Sequence, residues 1–586
     1  MNGNELLWPR GERRGALDAS LAAEDLELNR LSLLLFPTLG ADSALPFAAA
    51  LLTDDWDTIR MRQSALEELL LHPELADALK TLLDMLGEME ACYRGILDNP
   101  AGQRVTRMDA AMDGMKKAVL RLERNLSKQG ADILEENAAD NRYAQLLRYT
   151  HFRRRLTFLY ARAMCLLRDT LDKADWKSAP LHSLKEWADA CCGRDKVDST
   201  IETLNRLEAE WQGVSAFAID ACLDSRRMVV GLEVAETRSR PYARKGMLEA
   251  AGTADEQDGI TTLMNFPQNS SGTLFQEYLL SQVGYEVRNQ LTRLRDALNK
   301  LPTAGVEELL SLRDALVFYT GAASFAEKLQ KRGSAVTAPK FARETAFRFQ
   351  GARLPEQTCT GTLPVENDLA LEPGGSILMT GPNSSGKTCC LIMVGQFFFL
   401  GQLGSLVPAE YAELNPRDQL LTLFAAGESE TGEDSRMGLE VQRIRLLQER
   451  MTRRSILLFN EPMTSTSADE GAQICTDLLT DLAKKDIPAL LVTHFNHIWP
   501  ELTASFQENG LAEKLHSLVM TAEEGPEGIR YLYKLTEAPP PPSSHARAVV
   551  AEKGLRLEDM LAGLESRGLD MRSDDPGWVK IRQGVL

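Results

Sequence analysis

Eight consecutive residues, GPNSSGKT, have the spacing of a loop that binds phosphate. The loop begins at Gly381 after the apolar run SILMT, and it ends in Gly386, Lys387 and Thr388. Glycines let the backbone curl so that successive N–H groups point at an anion, the lysine reaches the β- and γ-phosphates, and the threonine hydroxyl binds Mg²⁺. A strand before and a helix after the loop are the context that this pattern requires, so the sequence predicts an ATP site with Mg²⁺. The residues predicted to contact the nucleotide here are Gly381, Pro382, Asn383, Ser384, Ser385, Gly386, Lys387, Thr388 and Cys389.

A second polar segment follows the apolar run SILLF. An enzyme with a phosphate-binding loop normally carries an aspartate at the end of such a strand, where it helps to hold Mg²⁺. Here Asn460 stands at that place, with Glu461 beside it. Asn460 offers only a neutral oxygen, so reduced metal affinity or turnover is expected, whereas Glu461 can orient the attacking water and accept its proton. The predicted metal ligands are Thr388, Asn460 and Glu461; a surface carboxylate is the alternative interpretation of Glu461.

A third polar residue, His494, ends the apolar run PALLVT. A polar side chain at the end of a neighbouring strand can sense the γ-phosphate, and the predicted catalytic set is therefore Lys387, Glu461 and His494. A metal bound by His494 and His497 is the other possibility. It is disfavoured because no carboxylate or cysteine near them completes a ligand set.

The bulk composition limits the class of protein. The chain has 586 residues, a formal net charge of −18 and nine cysteines, none of them in a CxxC pair. A wholly basic DNA-coating protein is excluded, but a local basic patch is not, because binding follows the local field. Free thiols, an N-terminus without the apolar region of a signal peptide, and no apolar run of the roughly 18 residues that a membrane span needs predict a cytoplasmic protein with no membrane partner.

The elements that position these residues change character near residue 346. Before that point the sequence is mostly helical in pattern, as in Asp55–Leu97, where Pro73 interrupts the helix; only Arg226–Thr237 looks extended. From Leu280 an apolar seam recurs at spacings of three and four, and packing within its own domain is favoured over an intermolecular coiled coil. After residue 346 short apolar runs alternate with helices, which indicates an α/β sheet. The seam consists of Leu280, Val283, Val287, Leu291, Leu294 and Leu298.

Several motifs in order resemble the ATPase domain of the MutS family. That family's loop reads GPNMGGKST where this chain has GPNSSGKTC, and its strand-end segment DEIGRGTSTYDG corresponds to NEPMTSTSADEG, which begins at Asn460. Its Ser-x-x-x-x-Glu segment appears as SRMGLE from Ser435 to Glu440, and its ATH strand end as VTH. The LSGGQ-like signature of ABC transporters and SMC-type ATPases is absent from the place before NEP, which separates this chain from those relatives.

The resemblance implies a multidomain protein, a mostly α-helical core, lever and clamp region followed by an α/β P-loop NTPase domain of the ABC-like, MutS type. It also implies a homodimer in which two ATPase domains pack head-to-tail and Ser435 enters the partner's nucleotide site. The chain departs from the family in having no counterpart of the mismatch-reading and connector domains and no HGxG segment of an Smr nuclease. Pro364 replaces the aromatic residue that stacks on adenine. The expected domains are 1–105 (N-terminal segment and first part of the core), 106–275 (lever and reduced clamp), 276–345 (returning lever and end of the core), 346–545 (ATPase domain) and 546–586 (helical tail).

Basic side chains in the helical region are the candidates for contact with DNA. A solvated helical face is the alternative, and without base-reading residues any preference is expected to be for branched or junction DNA over a sequence. Three functions are compatible with the sequence: a DNA-handling ATPase, a weakly hydrolysing switch that acts on a protein partner, and an SMC-like structural organiser. The DNA candidates are Lys116, Lys117, Arg121, Arg124, Arg148, Arg153, Arg154 and Arg155.

Overall fold

The chain forms two compact units, which we call the helical unit and the sheet unit. The helical unit comprises residues 74–177 and 181–316 with the first three residues, and the sheet unit comprises residues 4–73, 178–180 and 317–586. The computed structural model describes residues 3–9, 16–98, 133–212, 216–223, 225, 229–238, 291–301, 305–425, 436–495, 497–525 and 528–541. The predicted tail 546–586 therefore lies outside the described residues.

The described part of the helical unit is built mainly from long helices, as the sequence predicted. The longest, Ile133–Leu171, has 39 residues. The segment predicted to be extended forms an antiparallel hairpin of Ala216–Leu223 with Val229–Arg238. The helices are Pro73–Leu97, Ile133–Leu171, Ala179–Arg194, Val197–Gln212, residues 291–299 and Val306–Ser311.

The apolar seam packs inside the helical unit wherever it is described. Leu294 and Leu298 are buried together with Leu204, and Phe158 and Leu207 lie against them. This contact accounts for the burial of that part of the seam without a second chain. Residues 280–290 of the seam are outside the described residues.

The sheet unit contains a six-stranded sheet that carries the polar strand ends. Four of its five strand pairs are parallel, and the last strand, Gly528–Glu537, pairs antiparallel with its neighbour at one edge. Val492 pairs with both Met379 and Asn460, so the carboxyl ends of three neighbouring strands lie level. The order across the sheet is Gly528–Glu537, Leu515–Gly525, Ser376–Thr380, Ala489–Val492, Ser455–Asn460 and Gln419–Phe424. The apolar runs predicted as strands are confirmed, while Leu515–Gly525 and Gln419–Phe424 were not predicted.

A smaller four-stranded sheet, also not predicted, packs on the helix that follows the glycine-rich loop. This helix, Lys387–Leu403, is buried on nearly all sides, as expected for a helix that is apolar all round. Its Phe397 ring lies 4.6 Å from the ring of Phe349, and its Phe398 ring lies 6.0 Å from that of Phe347. The strands of the small sheet, in order, are Lys340–Phe341, Tyr411–Leu414, Phe347–Ala352 and Asn367–Leu371.

Helices complete the sheet unit on its outer faces, and the predicted interruption before Pro73 is confirmed. Helix Trp56–Leu71 ends at His72, because the residue before a proline avoids the helical region. Buried side chains of Ala468–Lys484, such as Leu479 and Leu482, share a core with Leu457 and Leu491 of the main sheet. The other helices are Leu28–Leu35, Ala41–Leu51, Arg313–Lys331, Pro355–Thr360, Arg436–Arg450 and Ile498–Glu508.

The N-terminal segment of the sheet unit packs directly on its main sheet and on the loop helix. Asp18 forms a parallel bridge with Gln419 at the free edge of the main sheet. Leu26 lies so close to the loop helix that a Cβ added at Gly395 would stand 2.4 Å from its Cδ1. Arg62 is fully buried and donates hydrogen bonds to the carbonyl oxygens of Leu7 and Leu403 at 3.0 and 2.9 Å. One arginine thus joins the N-terminus of the chain to the end of the loop helix.

Candidate functional site

The glycine-rich loop adopts a backbone in which three residues have positive φ, two of them glycines. The preceding strand is buried throughout, and Gly381 then turns with φ = 136°. A Cβ at Gly381 would lie 2.9 Å from the carbonyl oxygen of Met520. Gly386 has φ = 97° and Ser384 has φ = 64°, so three left-handed residues fold the loop before the helix begins at Lys387. Backbone N–H groups at such a helix N-terminus are suited to an anion.

Lys387 lies over the loop rather than in solvent. Its side-chain nitrogen donates hydrogen bonds to the carbonyl oxygens of Gly381 at 3.0 Å and Pro382 at 2.8 Å. The residue is only 5% exposed. Burial lowers the pKa of Lys387, and the nearby charge of Glu461 partly offsets that effect. The ammonium is therefore desolvated and pre-oriented over the loop, where an anionic ligand would be the stronger partner.

The residues at the ends of two strands meet at this loop. The hydroxyl of Thr388 donates a hydrogen bond of 3.0 Å to Oδ1 of Asn460. Glu461, the next residue, has φ = 52° and donates its backbone N–H to the carbonyl oxygen of Val492 at 2.8 Å. The left-handed turn at Glu461 ends the strand and places this residue in the wall of the loop cavity.

The cavity over the loop has a volume of about 750 Å³, which is within the range of small-ligand sites. The loop and Glu461 line it together with an apolar segment that includes Leu363, Pro364 and Val365. The loop residues Asn383, Ser384, Ser385, Gly386, Lys387, Thr388 and Cys389 all line it.

Tyr533 is a cavity residue that sequence reasoning missed. It has φ = 55°, and its side chain is 46% exposed. Its ring lies against the loop, because a Cβ at Gly386 would be 3.2 Å from Cδ1 of Tyr533. The side chain of Asn367 fixes this strand by donating to the carbonyl oxygen of Tyr533 at 3.0 Å and accepting from the N–H of Leu535 at 2.7 Å. The only sequence signal was an aromatic pair in a strand about 145 residues away, which says nothing about which cavity it enters.

Side-chain donors hold the apolar cavity segment 363–365 in place. The guanidinium of Arg353 donates to the carbonyl oxygen of Pro364 and pairs with Glu366. Asn367 also donates to the carbonyl oxygen of Val365 at 3.2 Å. This segment has no regular secondary structure, so these contacts replace the ladder that would otherwise fix its backbone.

Two other predicted site residues, His494 and Ser435, are not among the described residues in the wall of this cavity. His494 is exposed, its ring lies 4.4 Å from the ring of Phe495, and it is not among the residues that line the cavity. Ser435 lies outside the described residues, although helix Arg436–Arg450 begins directly after it. In the described part of the chain, no cluster of histidine, cysteine and acidic side chains has the arrangement of a metal site.

The structure shows where some of the candidate DNA contacts lie. Arg155 pairs with Glu88 through two hydrogen bonds of 2.6 and 2.9 Å. Arg153 donates to the carbonyl oxygen of Leu301 at 3.3 Å, and burial lowers the pKa of its guanidinium. Arg154 is partly buried. Lys116, Lys117, Arg121 and Arg124 lie outside the described residues, and the side chain of Arg148 is likewise not described.

The cavity fits a nucleoside triphosphate and Mg²⁺ on its own geometry. The buried hydroxyl of Ser385 has no hydrogen-bond partner among the described residues. Thr388 and Asn460 present two neutral oxygens 3.0 Å apart, with the Glu461 carboxylate in the same cavity. Oxygen ligands of this kind are those that Mg²⁺ prefers.

A mainly parallel sheet, a glycine-rich loop at its carboxyl edge and polar residues at the ends of the adjacent strands define an α/β domain whose ligand site is expected at this edge. The sequence profile of MutS domain V matches residues 377–555. The predicted resemblance to the MutS family is thereby confirmed over this domain.

Individual relatives match the same region. The DNA mismatch repair protein MutS of Salinibacter ruber is 29% identical over 224 residues, covering 36% of this chain and 24% of the relative. The DNA mismatch repair protein MutS of Thermus thermophilus is 30% identical over 219 residues, covering 37% and 25%. The DNA mismatch repair protein MSH3 of Coccidioides immitis is 29% identical over 204 residues, covering 34% and 18%. The chain thus spans a quarter or less of the length of these relatives.

No helix in the described ranges combines the length and the apolar character that crossing a bilayer requires.

Proposed function

We propose that the sheet unit binds and hydrolyses ATP. The observation that carries this proposal is the convergence of Lys387, Thr388 and Glu461 on one cavity, from a loop helix and a strand end that are far apart in sequence. Asn460, the last residue of that strand, accepts the hydrogen bond from Thr388. Relatives that carry the same domain are named as DNA mismatch repair proteins. A MutS-type ATPase is the function that fits both the site and the family.

Each residue of the cavity has a proposed task. Lys387 bridges the β- and γ-phosphates, while the backbone N–H groups of residues 381–389 hold the phosphate oxygens. Thr388, Asn460 and Glu461 hold Mg²⁺, which would supply positive charge to the phosphates when bound. Glu461 orients the attacking water and takes its proton, and His494 senses the γ-phosphate from the next strand end.

Tyr533 is proposed to stack on the nucleotide base. It lines the same cavity as Pro364, which stands in place of the family's aromatic residue. An aromatic ring with one open face is suited to a base, because every base presents a π-face. Leu363 and Val365, 37% and 42% exposed, would cover the opposite side of the base.

The working unit is proposed to be a homodimer that grips DNA in the cytoplasm. Two sheet units would pack head-to-tail, with Ser435 of each completing the site of the other, so that ATP binding closes the dimer and hydrolysis opens it. The helical unit, with its lever and reduced clamp, would contact double-stranded or branched DNA through the backbone phosphates. Recognition of mismatches in the family's usual manner is not proposed.

A second function is favoured by one feature of the site. Asn460 brings no negative charge to the metal position, and the chain has a net charge of −18. A switch that binds ATP, hydrolyses it weakly and engages a protein partner would have both properties. The two functions differ in whether DNA binding responds to ATP.

The decisive experiment measures DNA binding with and without ATP. Duplex, mismatched, junction and single-stranded DNA are titrated against the full chain at two salt concentrations, with the Lys387→Ala variant as the nucleotide-blind control. The DNA-handling function requires that ATP change affinity for at least one substrate in the wild type and not in the variant. Equal, ATP-independent binding to every substrate would contradict it and favour the switch.

A further inference from the structure

A buried carboxylate links the helix after Ser435 to the turn after Glu461. Glu440 is 3% exposed and lies on helix Arg436–Arg450. The hydroxyl of Ser465 donates a hydrogen bond to Oε2 of Glu440. The other carboxylate oxygen of Glu440 is buried and has no partner among the described residues.

The contact joins two segments to which the proposed mechanism assigns different sites. Ser435 precedes the helix and is proposed to serve the partner's nucleotide, whereas Glu461 is proposed to serve the chain's own nucleotide. Glu440 lies five residues after Ser435, and Ser465 lies four residues after Glu461. The Ser465 hydroxyl therefore ties the two segments together, through Glu440 and through a contact of 3.7 Å with the sulfur of Met437 on the same helix.

The hydrogen bond from Ser465 matters for stability because burying a carboxyl group without a hydrogen-bond partner costs free energy. A buried carboxyl oxygen that loses its donor is left without compensation for its lost hydration. Removing one partner therefore destabilises the structure by more than the net contribution of the hydrogen bond. Among the described side chains, Ser465 is the one that donates to Glu440. The family segment DEIGRGTSTYDG has glycine where this chain has Ser465, so this contact is a property of the present chain.

The turn itself is well supported on its other side. Met463 is buried with φ = 60°, and its carbonyl oxygen lies 3.2 Å from the position of a Cβ on Gly471. Phe495, the neighbour of His494, packs at 3.1 Å from the same position. Movement at Ser465 would thus be passed to the start of helix Ala468–Lys484 and to the strand end that carries His494.

We propose that Glu440 is a positioning residue which, through Ser465, couples the first turns of helix Arg436–Arg450 to the turn that follows Glu461. The inference rests on the proposed ATPase function for its consequence, but not for the contact itself. A change at either end of the hydrogen bond should be felt at both segments.

The first test is amide hydrogen exchange of the full chain without nucleotide. Glu440→Ala and Ser465→Gly should each raise exchange in both 436–441 and 461–467, and the double variant should add little to the larger single effect. Thr466→Ala is the matched control, because the Thr466 hydroxyl bonds Glu470 at 2.8 Å in the following helix; it should leave 436–441 unchanged. A response confined to the mutated segment, or additive single effects, would overturn the proposal.

The second test separates positioning from binding and from folding. Glu440→Gln keeps an oxygen that accepts from Ser465 and should retain kcat within about threefold, whereas Glu440→Ala should lower kcat about tenfold or more with ATP affinity nearly unchanged, since small misplacements act on the chemical step. A parallel loss of affinity, or a Gln variant as impaired as the Ala variant, contradicts the positioning role. A wild-type protein that binds no ATP would refute the proposed function instead, and the exchange experiment would still decide the role of the contact.

Discussion

The hydroxyl of Thr388 donates a hydrogen bond to the side-chain oxygen of Asn460 across 3.0 Å. These residues begin the loop helix and end a central strand, at the two places from which a P-loop enzyme holds its metal. The bond needs only an acceptor, which asparagine provides as well as aspartate. Asparagine lacks the negative charge of aspartate. The geometry of the proposed metal site is therefore kept, while its affinity for Mg²⁺ is expected to be lower.

Asn460→Asp is therefore expected to leave the fold intact and to tighten Mg²⁺ binding. The added charge lies beside a divalent ion in a partly buried cavity, so the Mg²⁺ concentration for half-maximal turnover should fall about tenfold, a change of about 1.4 kcal/mol. Steady-state ATPase rates over a Mg²⁺ series provide the measurement. Unaltered Mg²⁺ dependence would remove position 460 from the metal site. A large rise in kcat would support the weakly hydrolysing switch.

Lys387→Ala is expected to abolish measurable ATP binding. The variant removes the one ammonium that the loop carbonyls hold in the cavity, and a phosphate pair bound at low dielectric depends on that charge. Calorimetric titration with ATP tests this. Lys331→Ala is a suitable control because its side chain is 77% exposed and pairs only with Glu327 on its own helix. Tight ATP binding by the Lys387 variant would mean that this loop is not the nucleotide site.

Tyr533→Ala is expected to raise the dissociation constant of ATP by about tenfold, since stacking of a base on an aromatic ring contributes about 1–3 kcal/mol. Tyr533→Phe should bind nearly as well as the wild type, because the ring is kept. Inorganic triphosphate, which has no base, should bind all three proteins equally. If the Ala variant loses triphosphate affinity as well, Tyr533 shapes the loop and does not contact the base.

Arg62→Met is expected to destabilise the sheet unit by about 3–5 kcal/mol, because it leaves buried carbonyl oxygens without their donor. The guanidinium also lies 4.4 Å from the ring centre of Trp8, a contact that methionine only partly replaces. Urea denaturation followed by far-UV circular dichroism gives the change. Arg60→Met, on the same helix and exposed, should be nearly neutral. A small effect for Arg62 would show that water or other donors satisfy these carbonyls.

The pair formed by His516 and Glu372, at the end of the main sheet away from the phosphate loop, should make the free energy of unfolding depend on pH. The hydrogen bond to Glu372 raises the pKa of His516 above 6.5. Burial raises the pKa of Glu372, but the hydrogen bond from His516, a backbone hydrogen bond and the charges of His516 and Lys514 together outweigh it and leave that pKa below 4.5. The His516 contribution is complete below pH 6.5 and is lost as pH rises through the folded-state value; the Glu372 contribution is present above pH 4.5 and is lost in acid.

His516→Gln should consequently cost more stability near pH 5.5 than near pH 8.5. The difference is expected to stay under about 1 kcal/mol, because both side chains are about one-third exposed and solvent screens the pair. Urea midpoints of the two proteins at both pH values measure it. An identical cost at pH 5.5 and pH 8.5 would show that the pair does not gain from protonation.

Local patterns predicted the parts of the fold that a single segment specifies. The apolar run SILMT and the glycines at 381 and 386 placed a strand, a turn and a helix, because burial on both faces and left-handed backbone are written in residue type. The break at His72 followed from the proline after it. The small sheet was missed because its strands, such as Lys340–Phe341 with two residues, are too short for periodicity to distinguish.

The parts of the site that depend on long-range contact could not be predicted. Tyr533 reaches the cavity through the pairing of the last two strands and the hold of Asn367, which are features of topology. The partners of Arg155 and Arg153 likewise depend on how helices pack, and neither side chain revealed in sequence that it would meet Glu88 or a backbone carbonyl. Residue type indicated charge, but not where the charge would be used.

The bridge between Asp18 and Gln419 makes the outermost strand of the main sheet an inner one at that point. Excising the proposed ATPase domain at residue 346, where the sequence changes from a helical to an α/β pattern, would remove this cover together with Leu26 and Arg62. The fragment would then expose an unpaired strand edge and an apolar helix without the side chains that cover it. Proteins aggregate through such surfaces. Domain dissection of this chain has to retain the first seventy or so residues, since they belong to the same folding unit as the phosphate loop.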